Sequence, residues 1–408
     1  MCGICGQFRF DGEIVSTKSL DDMMSKLAKR GPDSKGKWLE GKIGFGHQRL
    51  SIIDLSNLGS QPMVDDFLKL TLVFNGTIYN YKALRSQLIS NGYVFFSNSD
   101  TEVIIKAYHF WGEDCVNHLD GMFAFAIWDR SSQQLFVARD RMGIKPLYFN
   151  ITSKAFTFAS NSQALLTQKL DKSINPVALH QQLSLHGVVP APNTIINGIQ
   201  KLKPGTFFTL SPNGKLREKT YWQPCAKRLE ENISDQDYIE RTHELLTSAV
   251  MKRMSASDVP IGVLLSGGLD SSLIVALLKE AGHEDIRTFS IGFEDIDDEV
   301  GSEFEYSDQI VSKFKTQHKK YQVSNKEVLP RLSEAVMNMS EPMVGQDAVA
   351  FYLLSEQVSK HTKVVLSGQG ADEAFAGYFW YPRMANEQGN EVERFSKHYV
   401  DRPHDEYL

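Results

Sequence analysis

The sequence predicts an α/β protein of two domains, the first built on antiparallel sheets and the second on a parallel sheet. Three observations predict this. Short apolar segments separated by turns fill residues 2–210, a polar segment with two prolines covers residues 211–235, and strands then alternate with helices. Alternation of strands and helices is typical of a parallel sheet, whereas closely spaced strands joined by turns are typical of antiparallel sheets. A chain of 408 residues is long enough for two such cores.

The N-terminal domain is predicted over residues 2–210, as a layered α+β or α/β/β/α fold. The segments FAFAIWD and QLFVARD flank a turn at residues 130–133 and form a predicted hairpin. Their apolar residues occupy both faces of each strand, which indicates sheets that are covered on both sides. Residues 211–235 are interpreted as a linker.

The C-terminal domain is predicted over residues 236–408. Ser234 and Asp237 form the pattern of a capping box, and the apolar spacing that follows predicts a helix through Met254. The further predicted elements are a strand at 261–265, a helix from Ser271, a strand at 287–293, a helix after Glu303, a helix near 348–360 and a strand at 363–366. This order predicts a parallel sheet.

Composition excludes several classes of protein. The formal net charge is −6 at pH 7 and no run of lysine and arginine occurs, so we expect no nucleic-acid partner. The first residues lack the pattern of a signal peptide, and no apolar run approaches the length of a membrane span. We therefore expect a cytoplasmic protein without a membrane partner, whose four cysteines are thiols.

The stretch VLLSGGLDSS, from Val263 to Ser272, carries the most specific chemistry in the chain. A short apolar strand runs through a glycine pair into a helix. Gly267 and Gly268 allow close approach of the backbone to a ligand, and the hydroxyls of Ser266, Ser271 and Ser272 stand beside the first N–H groups of the helix. The alternative is an ordinary turn from strand to helix, but this composition favours a phosphate site.

An acid, Asp270, stands where the common phosphate-binding loop would carry its lysine, and no Gly-Lys-Ser/Thr triplet occurs in the chain. Because a bare carboxylate repels a phosphate, Asp270 implies a bridging cation, for which Mg²⁺ is the expected choice. The segment SGGLDSS resembles the pyrophosphate loop of the ATP pyrophosphatases, which have an adenine nucleotide alpha hydrolase-like fold. The resemblance implies ATP as a ligand.

Cys2 directly follows the initiator methionine. Removal of Met1 would leave a residue that carries both a thiol and an α-amine, and an amine with a pKa of about 8 can accept the thiol proton near neutrality. A cysteine at the second position is by itself unremarkable. The segments around it are more specific: MCGICG, RGPD (30–33), GHQRLSIIDL (46–55), QPM (61–63), FNGTIYNY (74–81), SDTEVI (99–104) and ARDRMGIKPLYF (138–149).

Together these segments resemble the class II glutamine amidotransferase domain, whose members are N-terminal-nucleophile hydrolases with an α/β/β/α sandwich. The resemblance implies that Cys2 attacks the side-chain amide of glutamine, and that Asn75 and the Gly76 N–H form the oxyanion hole. It also implies that Arg49 binds the carboxylate of glutamine and Asp100 its α-ammonium. An ordinary surface pair is the alternative for these two residues.

One residue of this site departs from the family, because Thr77 replaces a glutamate. A hydroxyl carries no charge, so we expect weaker binding of glutamine.

In the C-terminal domain, the resemblance implies that ATP contacts residues of several segments. Besides the phosphate loop, these residues are Leu265, Ile291, Ser367 and Gly368. Asp372 and Glu373, in LSGQGADEAFAGY, would hold Mg²⁺ together with Asp270. These two acids are also favourable at a helix N-terminus, which is the alternative interpretation.

The whole chain resembles the glutamine-hydrolysing asparagine synthetase family. Its members typically have an acid at the position of Gln369, and the subgroup named N-acetylglutaminylglutamine amidotransferases shares NGTIYNY and SGQGADE with this chain. A glutamine side chain cannot accept a proton as a base. The expected acceptor is therefore the carboxylate of N-acetylglutaminylglutamine, with aspartate as the alternative, and a homodimer is the expected assembly.

Relatives in this family continue past the position of Leu408 with a helical segment that carries a catalytic lysine. We therefore expect a fragment, or a synthetase domain that is incomplete at its C-terminus and leaves glutaminase activity alone. Two other hypotheses are a β-lactam synthetase, against which Cys2 argues, and a non-enzymatic nucleotide-binding or glutamine-binding partner.

Overall fold

The computed structural model describes residues 1–226, 233–295, 297, 300–343, 347–403 and 406. The chain divides into two compact units, one of residues 1–178 with 190–230 and the other of residues 179–189 with 231–408. The short segment 179–189, which the sequence analysis assigns to the first domain, therefore groups with the second unit. No helix in these described ranges is long and apolar enough to span a membrane.

The first unit contains two six-stranded antiparallel sheets. The first sheet has the order β10-β8-β9-β1-β3-β2 and the second the order β12-β11-β7-β6-β5-β4, with the strands numbered along the chain. The strands are β1 Gly3–Arg9, β2 Ser34–Glu40, β3 Ile43–Arg49, β4 Met63–Asp65, β5 Leu70–Ile78, β6 Gly121–Asp129, β7 Gln134–Arg139, β8 Tyr148–Ile151, β9 Ala155–Ala159, β10 Gln200–Lys201, β11 Thr206–Leu210 and β12 Leu216–Thr220.

Helices cover the outer faces of the two sheets. They are α1 Thr17–Ser25, α2 Tyr81–Ser90, α3 Asp100–Trp111, α4 Cys115–His118 and α5 Ser162–Leu165; α6 Pro176–Ser184 crosses the boundary between the units. Short 3₁₀ turns lie at Ala28–Arg30, Asn57–Gly59 and Gly112–Asp114.

Three apolar clusters show the order of the layers. The inner cluster, which includes Phe45 of the first sheet and Trp128 of the second, joins the two sheets face to face. A second cluster packs α2 and α3 on the outer face of the second sheet, and a third packs α1 and α5 on the outer face of the first. The predicted α/β/β/α sandwich is confirmed.

The second unit is built on a four-stranded parallel sheet of order β15-β14-β13-β16. Its strands are β13 Ile261–Leu264, β14 Arg287–Phe293, β15 Gln317–Val323 and β16 Val364–Leu366. Its helices are α7 Asp235–Ser255, α8 Leu269–Glu280, α9 Phe304–Phe314, α10 Asn325–Asn338, α11 Asp347–Val358, α12 Ala371–Phe375, α13 Trp380–Asn386 and α14 Glu391–Tyr399. The capping box of Ser234 and Asp237 is present at the start of α7, as the sequence predicts.

Two differences from the sequence analysis have a common physical reason. Residues 216–220, assigned to the linker, form β12, and residues 317–323, left unassigned, form β15. Both strands lie at the edge of a sheet and carry mostly polar side chains, so neither shows an apolar run. A further part of the predicted linker, residues 227–232, lies outside the described residues.

Candidate active sites

The first candidate site surrounds Cys2, which directly precedes β1. Because Gly3 pairs with Gln48 on β3, the end of β3 lies beside Cys2. The Cys2 Sγ accepts a hydrogen bond from the Leu50 N–H at 3.4 Å and lies 3.6 Å from the Leu50 carbonyl oxygen. Strand pairing therefore fixes the thiol against the residue that follows Arg49.

The charges of two predicted ligand residues reach the thiol of Cys2. Burial raises the pKa of this thiol, and the hydrogen bond from Leu50 offsets part of that effect. The negative charge of Asp100 also raises the pKa, and the positive charge of Arg49 lowers it. The fold thus brings Cys2, Arg49 and Asp100 together, although they lie far apart in sequence.

Arg49 is buried at the end of β3. Its guanidinium donates hydrogen bonds to the carbonyl oxygens of Ile53, Asp54 and Ser56, with Nη1 at 3.0 Å from the Ser56 oxygen. A Cβ at Gly59 would overlap Nη2, so the guanidinium packs directly against this glycine. The turn that follows β3 therefore fixes the orientation of Arg49.

Asp100 is the first residue of α3, and Ser99 caps that helix by accepting a hydrogen bond from the Thr101 N–H. The Asp100 carboxylate accepts hydrogen bonds from the Ile78 N–H at 3.0 Å and from the Ser99 hydroxyl at 3.4 Å. Burial outweighs these bonds and raises the pKa of Asp100 to about 7. The charge of this side chain therefore changes near neutral pH.

Asn75 and Gly76 lie side by side on β5. Asn75 is 1% exposed, and within the described part of the chain neither atom of its carboxamide has a hydrogen-bond partner. Buried amides are almost always paired, so this group is available to a ligand. A Cβ at Gly76 would overlap the Met122 carbonyl oxygen on β6, and the ladder there thus requires glycine. Thr77, the departure from the family, is buried next to them.

Two cations that the sequence analysis leaves without a role lie near Cys2. Arg30 Nε donates a hydrogen bond to the Cys2 carbonyl oxygen at 3.1 Å. Lys145 is buried, and its Nζ lies 3.0 Å from Met1 Sδ. Burial together with these two positive charges lowers the pKa of the Met1 α-amine to about 5. Both residues could have been found from the sequence. Arg30 lies in RGPD and Lys145 in GIKPLY, and both segments resemble the class II glutamine amidotransferase domain.

The second candidate site is a cleft of about 410 Å³ in the second unit, at the carboxyl ends of β13, β14 and β16. Most of the predicted nucleotide-binding residues line it, namely Leu265, Ser266, Gly268, Asp270, Ser271, Ile291, Ser367, Gly368 and Asp372. Gly267, Ser272 and Glu373 are not among the lining residues. Gln369 also lines the cleft.

Glycines set the shape of the predicted phosphate loop. Gly267 has φ of 96°, and a Cβ there would lie 2.5 Å from the Ser307 backbone nitrogen on α9. A Cβ at Gly368 would lie 2.9 Å from the Ser271 backbone nitrogen. The segment after β16 therefore lies directly against the start of α8.

The start of α8 fits an anion. Gly268 is its N-cap and has no side chain with which to cap the helix, so the first N–H groups lack an intrahelical partner, and the residues that carry them line the cleft. The Ser266 hydroxyl accepts a hydrogen bond from the Gly268 N–H at 3.3 Å. Among the described residues, the Ser272 hydroxyl is buried and has no partner. These donors suit phosphate oxygens.

Two of the three predicted metal ligands, Asp270 and Asp372, line the same cleft. Burial raises the pKa of Asp270, and the negative charge of Asp372 raises it further. Glu373 is exposed and instead accepts a hydrogen bond from the Tyr378 hydroxyl at 3.0 Å. The described ranges contain no group of three or more His, Cys, Asp or Glu side chains suited to a metal. The Asp270–Asp372 pair fits Mg²⁺ provided that phosphate oxygens complete the coordination.

Comparison with known proteins matches both parts of the chain to described families. Residues 1–222 match the family described as "Glutamine amidotransferase domain", and residues 241–404 match "Asparagine synthase".

Three curated relatives show how much of a longer protein the chain covers. "Asparagine synthetase [glutamine-hydrolyzing] 1" of Bacillus subtilis is 35% identical over 93% of this chain and 59% of its own length. "Asparagine synthetase [glutamine-hydrolyzing] 3" of the same organism is 35% identical over 95% of this chain and 65% of its own length. "Putative asparagine synthetase [glutamine-hydrolyzing] 2" of Methanocaldococcus jannaschii is 36% identical over 93% and 76%. The chain thus spans about three fifths of the two Bacillus relatives.

Proposed function

The chain belongs to the glutamine-hydrolysing asparagine synthetase family, and from this membership we propose that it is an ATP-dependent amide synthetase that takes its nitrogen from glutamine. The observation that carries the proposal is the convergence of Cys2, Arg49 and Asp100, whose charges interact in the folded unit. A nucleophile, a cation and an anion at one site match the thioester chemistry, the α-carboxylate and the α-ammonium of a bound glutamine.

In the glutaminase step, removal of Met1 exposes the α-amine of Cys2, which accepts the thiol proton. The sulfur attacks the side-chain amide carbon, and the resulting oxyanion is stabilised by the Asn75 carboxamide and the Gly76 N–H. The C–N bond then breaks, and the nitrogen takes the proton from the amine and leaves as ammonia. Water hydrolyses the thioester, which releases glutamate and restores the thiol.

The surroundings of the N-terminus favour an amine that acts as a base. Burial, Arg30 and Lys145 lower the pKa of the Met1 α-amine to about 5. The amine of Cys2 would lie near the same two cations after Met1 is removed. Their positive charges would lower the pKa of that amine and favour its neutral form, which can accept a proton.

In the synthetase step, a carboxylate oxygen attacks the α-phosphorus of ATP, and pyrophosphate leaves. Ammonia then attacks the acyl carbon of the acyl-adenylate, and AMP leaves. The N–H groups of α8 and the hydroxyls of Ser266, Ser271 and Ser272 would hold the pyrophosphate, and Asp270 and Asp372 would hold Mg²⁺. A bound Mg²⁺ supplies positive charge to the leaving phosphates.

The acceptor that we propose is the carboxylate of N-acetylglutaminylglutamine. Gln369 supports this choice, because it lines the cleft at the position where asparagine synthetases typically carry an acid. Aspartate is the second candidate, and the names of the relatives favour it. A cytoplasmic location, expected from the sequence, and a homodimer, expected from the family resemblance, also stay predictions.

The proposed function is tested by incubating the protein with glutamine, ATP and Mg²⁺ and with each acceptor in turn. We expect glutamate, AMP and pyrophosphate, with AMP formed only when the correct carboxylate is present. Cys2→Ala is expected to abolish glutamate release and to leave AMP formation with added ammonium intact, and Cys225→Ala, which changes an exposed thiol, is the control. Glutamate release that survives Cys2→Ala would contradict the proposal.

A further inference from the structure

We propose that Asp54 is a positioning residue that fixes the spacing between Arg49 and Asp100, the two side chains that would hold the ends of glutamine. The inference rests on the proposed glutamine hydrolysis. Asp54 itself is buried and contacts backbone groups on both sides. Its two carboxylate oxygens bind different segments of the chain.

The first oxygen closes the turn that holds Arg49. Asp54 Oδ1 accepts hydrogen bonds from the Ser56 N–H at 3.1 Å and from the Ser56 hydroxyl. The carbonyl oxygens of Asp54 and Ser56 in turn accept hydrogen bonds from the Arg49 guanidinium. The Asp54 carboxylate therefore fixes the carbonyl groups that orient Arg49.

The second oxygen reaches the segment that carries Asp100. Asp54 Oδ2 accepts a hydrogen bond from the Asn98 N–H at 2.8 Å, and Asn98 stands two residues before Asp100. On the other side of this segment, the fully buried Glu102 accepts hydrogen bonds from the N–H groups of Phe96 at 3.0 Å and Ser97 at 2.7 Å. Glu102 thus ties the segment to α3 itself, whereas Asp54 ties it to the turn that holds Arg49.

The residue type suits this task. Asp54 has φ of 50°, in the left-handed region that aspartate and asparagine tolerate better than most residues. Its carboxylate receives three hydrogen bonds from two segments, which requires two acceptor oxygens. Burial alone would raise the pKa of Asp54, but the hydrogen bonds from Ser56 and Asn98 outweigh it and lower the pKa. The side chain is therefore a stable anion in the folded protein.

A fixed spacing between Arg49 and Asp100 matters because the covalent structure of glutamine holds its α-carboxylate and its α-ammonium at a constant distance. Displacement of a binding group by about 1 Å can reduce activity by about a hundredfold. The hydrogen bonds of Asp54 to Ser56 and Asn98 act on the segments that carry Arg49 and Asp100, the residues that would bind the ends of glutamine. The loss of Asp54 should therefore weaken glutamine binding more than it slows the chemical step.

Asp54→Asn is the sharpest test, because asparagine keeps the left-handed backbone and one acceptor oxygen while removing the other. We expect the KM for glutamine to rise about tenfold, which is smaller than the loss of about a hundredfold expected for a displacement of about 1 Å. The value of kcat should change less than about twofold. Ser56→Ala removes the hydroxyl donor to Asp54, together with the acceptor of the Leu58 N–H, and should give a smaller rise in KM. Ser56→Ala is the variant to measure if Asp54→Asn fails to fold.

The control is Asp129→Asn, which removes a carboxylate that closes a different turn of the same unit by accepting hydrogen bonds from the Ser131 and Ser132 N–H groups. This variant should lower Tm without raising the KM for glutamine. An unchanged KM in Asp54→Asn, or an equal rise in both variants, would overturn the proposal and leave the glutaminase function standing.

Hydrogen exchange tests the same link without turnover. In Asp54→Asn, the amides of residues 98–100 and of residues 53–56 should both exchange faster than in the wild type, while those of Asp129→Asn at these positions should not. Unchanged exchange at residues 98–100 would contradict the proposed role of Asp54. A wild-type protein that releases no glutamate contradicts the proposed function instead, and the exchange result then decides on the link alone.

Discussion

The Arg30 guanidinium donates a hydrogen bond to the carbonyl oxygen of Cys2, so a positive charge lies beside the proposed nucleophile. Lys145 adds a second buried cation near the same residue, and both lower the pKa of the N-terminal amine. A cation in this position disfavours the protonated amine. The pair therefore links the electrostatics of the fold to the proposed base.

Lys145→Gln tests this link. Removing the positive charge should raise the pKa of the amine. The acidic limb of the pH profile of glutamine hydrolysis should therefore move to higher pH. The shift should be about one pH unit if the interaction between the charge and the amine is worth about 1.4 kcal/mol. The profile of kcat against pH at saturating glutamine measures the shift, because kcat/KM would also report the ionisation of Asp100. Lys154→Gln, which removes an exposed lysine, should leave the profile unchanged. A limb that stays in place in Lys145→Gln would contradict the role of the cation.

The pKa of Asp100 predicts how glutamine binding depends on pH. Because the pKa is raised to about 7, the side chain is neutral below that pH and anionic above it. Only the anion attracts an α-ammonium, so the KM for glutamine should fall as the pH rises through about 7. Asp100→Asn should bind glutamine weakly and lose this dependence on pH. Steady-state kinetics between pH 5.5 and pH 8.5 compare the wild type with Asp100→Asn. The KM of the wild type should change with a midpoint at about pH 7.

The same shift in the pKa of Asp100 predicts a cost in stability. The folded-state pKa of about 7 lies above the ordinary value of 3.8, so ionisation opposes folding. The contribution of the neutral Asp100 side chain to the free energy of unfolding is therefore fully present below pH 3.8 and is lost as the pH rises to about 7. Asp100→Asn should raise Tm at pH 8 and change it little at pH 4. An equal change in Tm at both values would contradict the raised pKa.

Asn75→Leu separates catalysis from stability. The two side chains have the same number of heavy atoms and the same branching, and within the described residues the Asn75 carboxamide makes no hydrogen bond that the substitution could break. We expect kcat for glutamine hydrolysis to fall by about 10²–10³, the usual effect of losing an oxyanion donor, while Tm stays the same or rises.

The matched control for Asn75→Leu is Asn161→Leu. Asn161 is buried in the same unit, and its carboxamide accepts from the Ala164 N–H at 3.0 Å and donates to the Lys26 carbonyl oxygen at 3.1 Å. Its substitution should lower Tm and leave kcat unchanged. A large drop in the Tm of Asn75→Leu would show that the amide is needed for folding rather than for catalysis.

The Asp270–Asp372 pair predicts an effect of Mg²⁺ on stability. Their mutual repulsion is relieved by a cation, so Mg²⁺ with pyrophosphate should raise the Tm of the wild type. Asp372→Asn should reduce this rise, whereas Asp285→Asn, which changes an exposed acid, should not. Differential scanning fluorimetry over a range of Mg²⁺ concentrations measures the effect. Equal responses of the two variants would argue against a metal site at this pair.

Elements with a strong local pattern were predictable from the sequence. The capping box at Ser234, the strand at 287–293 and the hairpin around residues 130–133 are present because each depends on neighbours in the chain. β12 and β15 were missed because they are polar edge strands, which are held by hydrogen bonds to a partner strand rather than by their own apolar side chains. Their existence depends on contacts distant in sequence.

The sequence by itself determined the chemical groups of this protein: a thiol at the second position, an asparagine-glycine pair, and a serine-glycine loop with an acid. These follow from residue type and spacing along the chain. Only the tertiary structure decided that Asp54 joins the segments of Arg49 and Asp100, that the buried Asn75 carboxamide has no partner among the described residues, and that Glu373 accepts a hydrogen bond from Tyr378. Burial and charge interactions depend on distances through space. The packing of sheets and helices sets these distances, and the local sequence does not encode them.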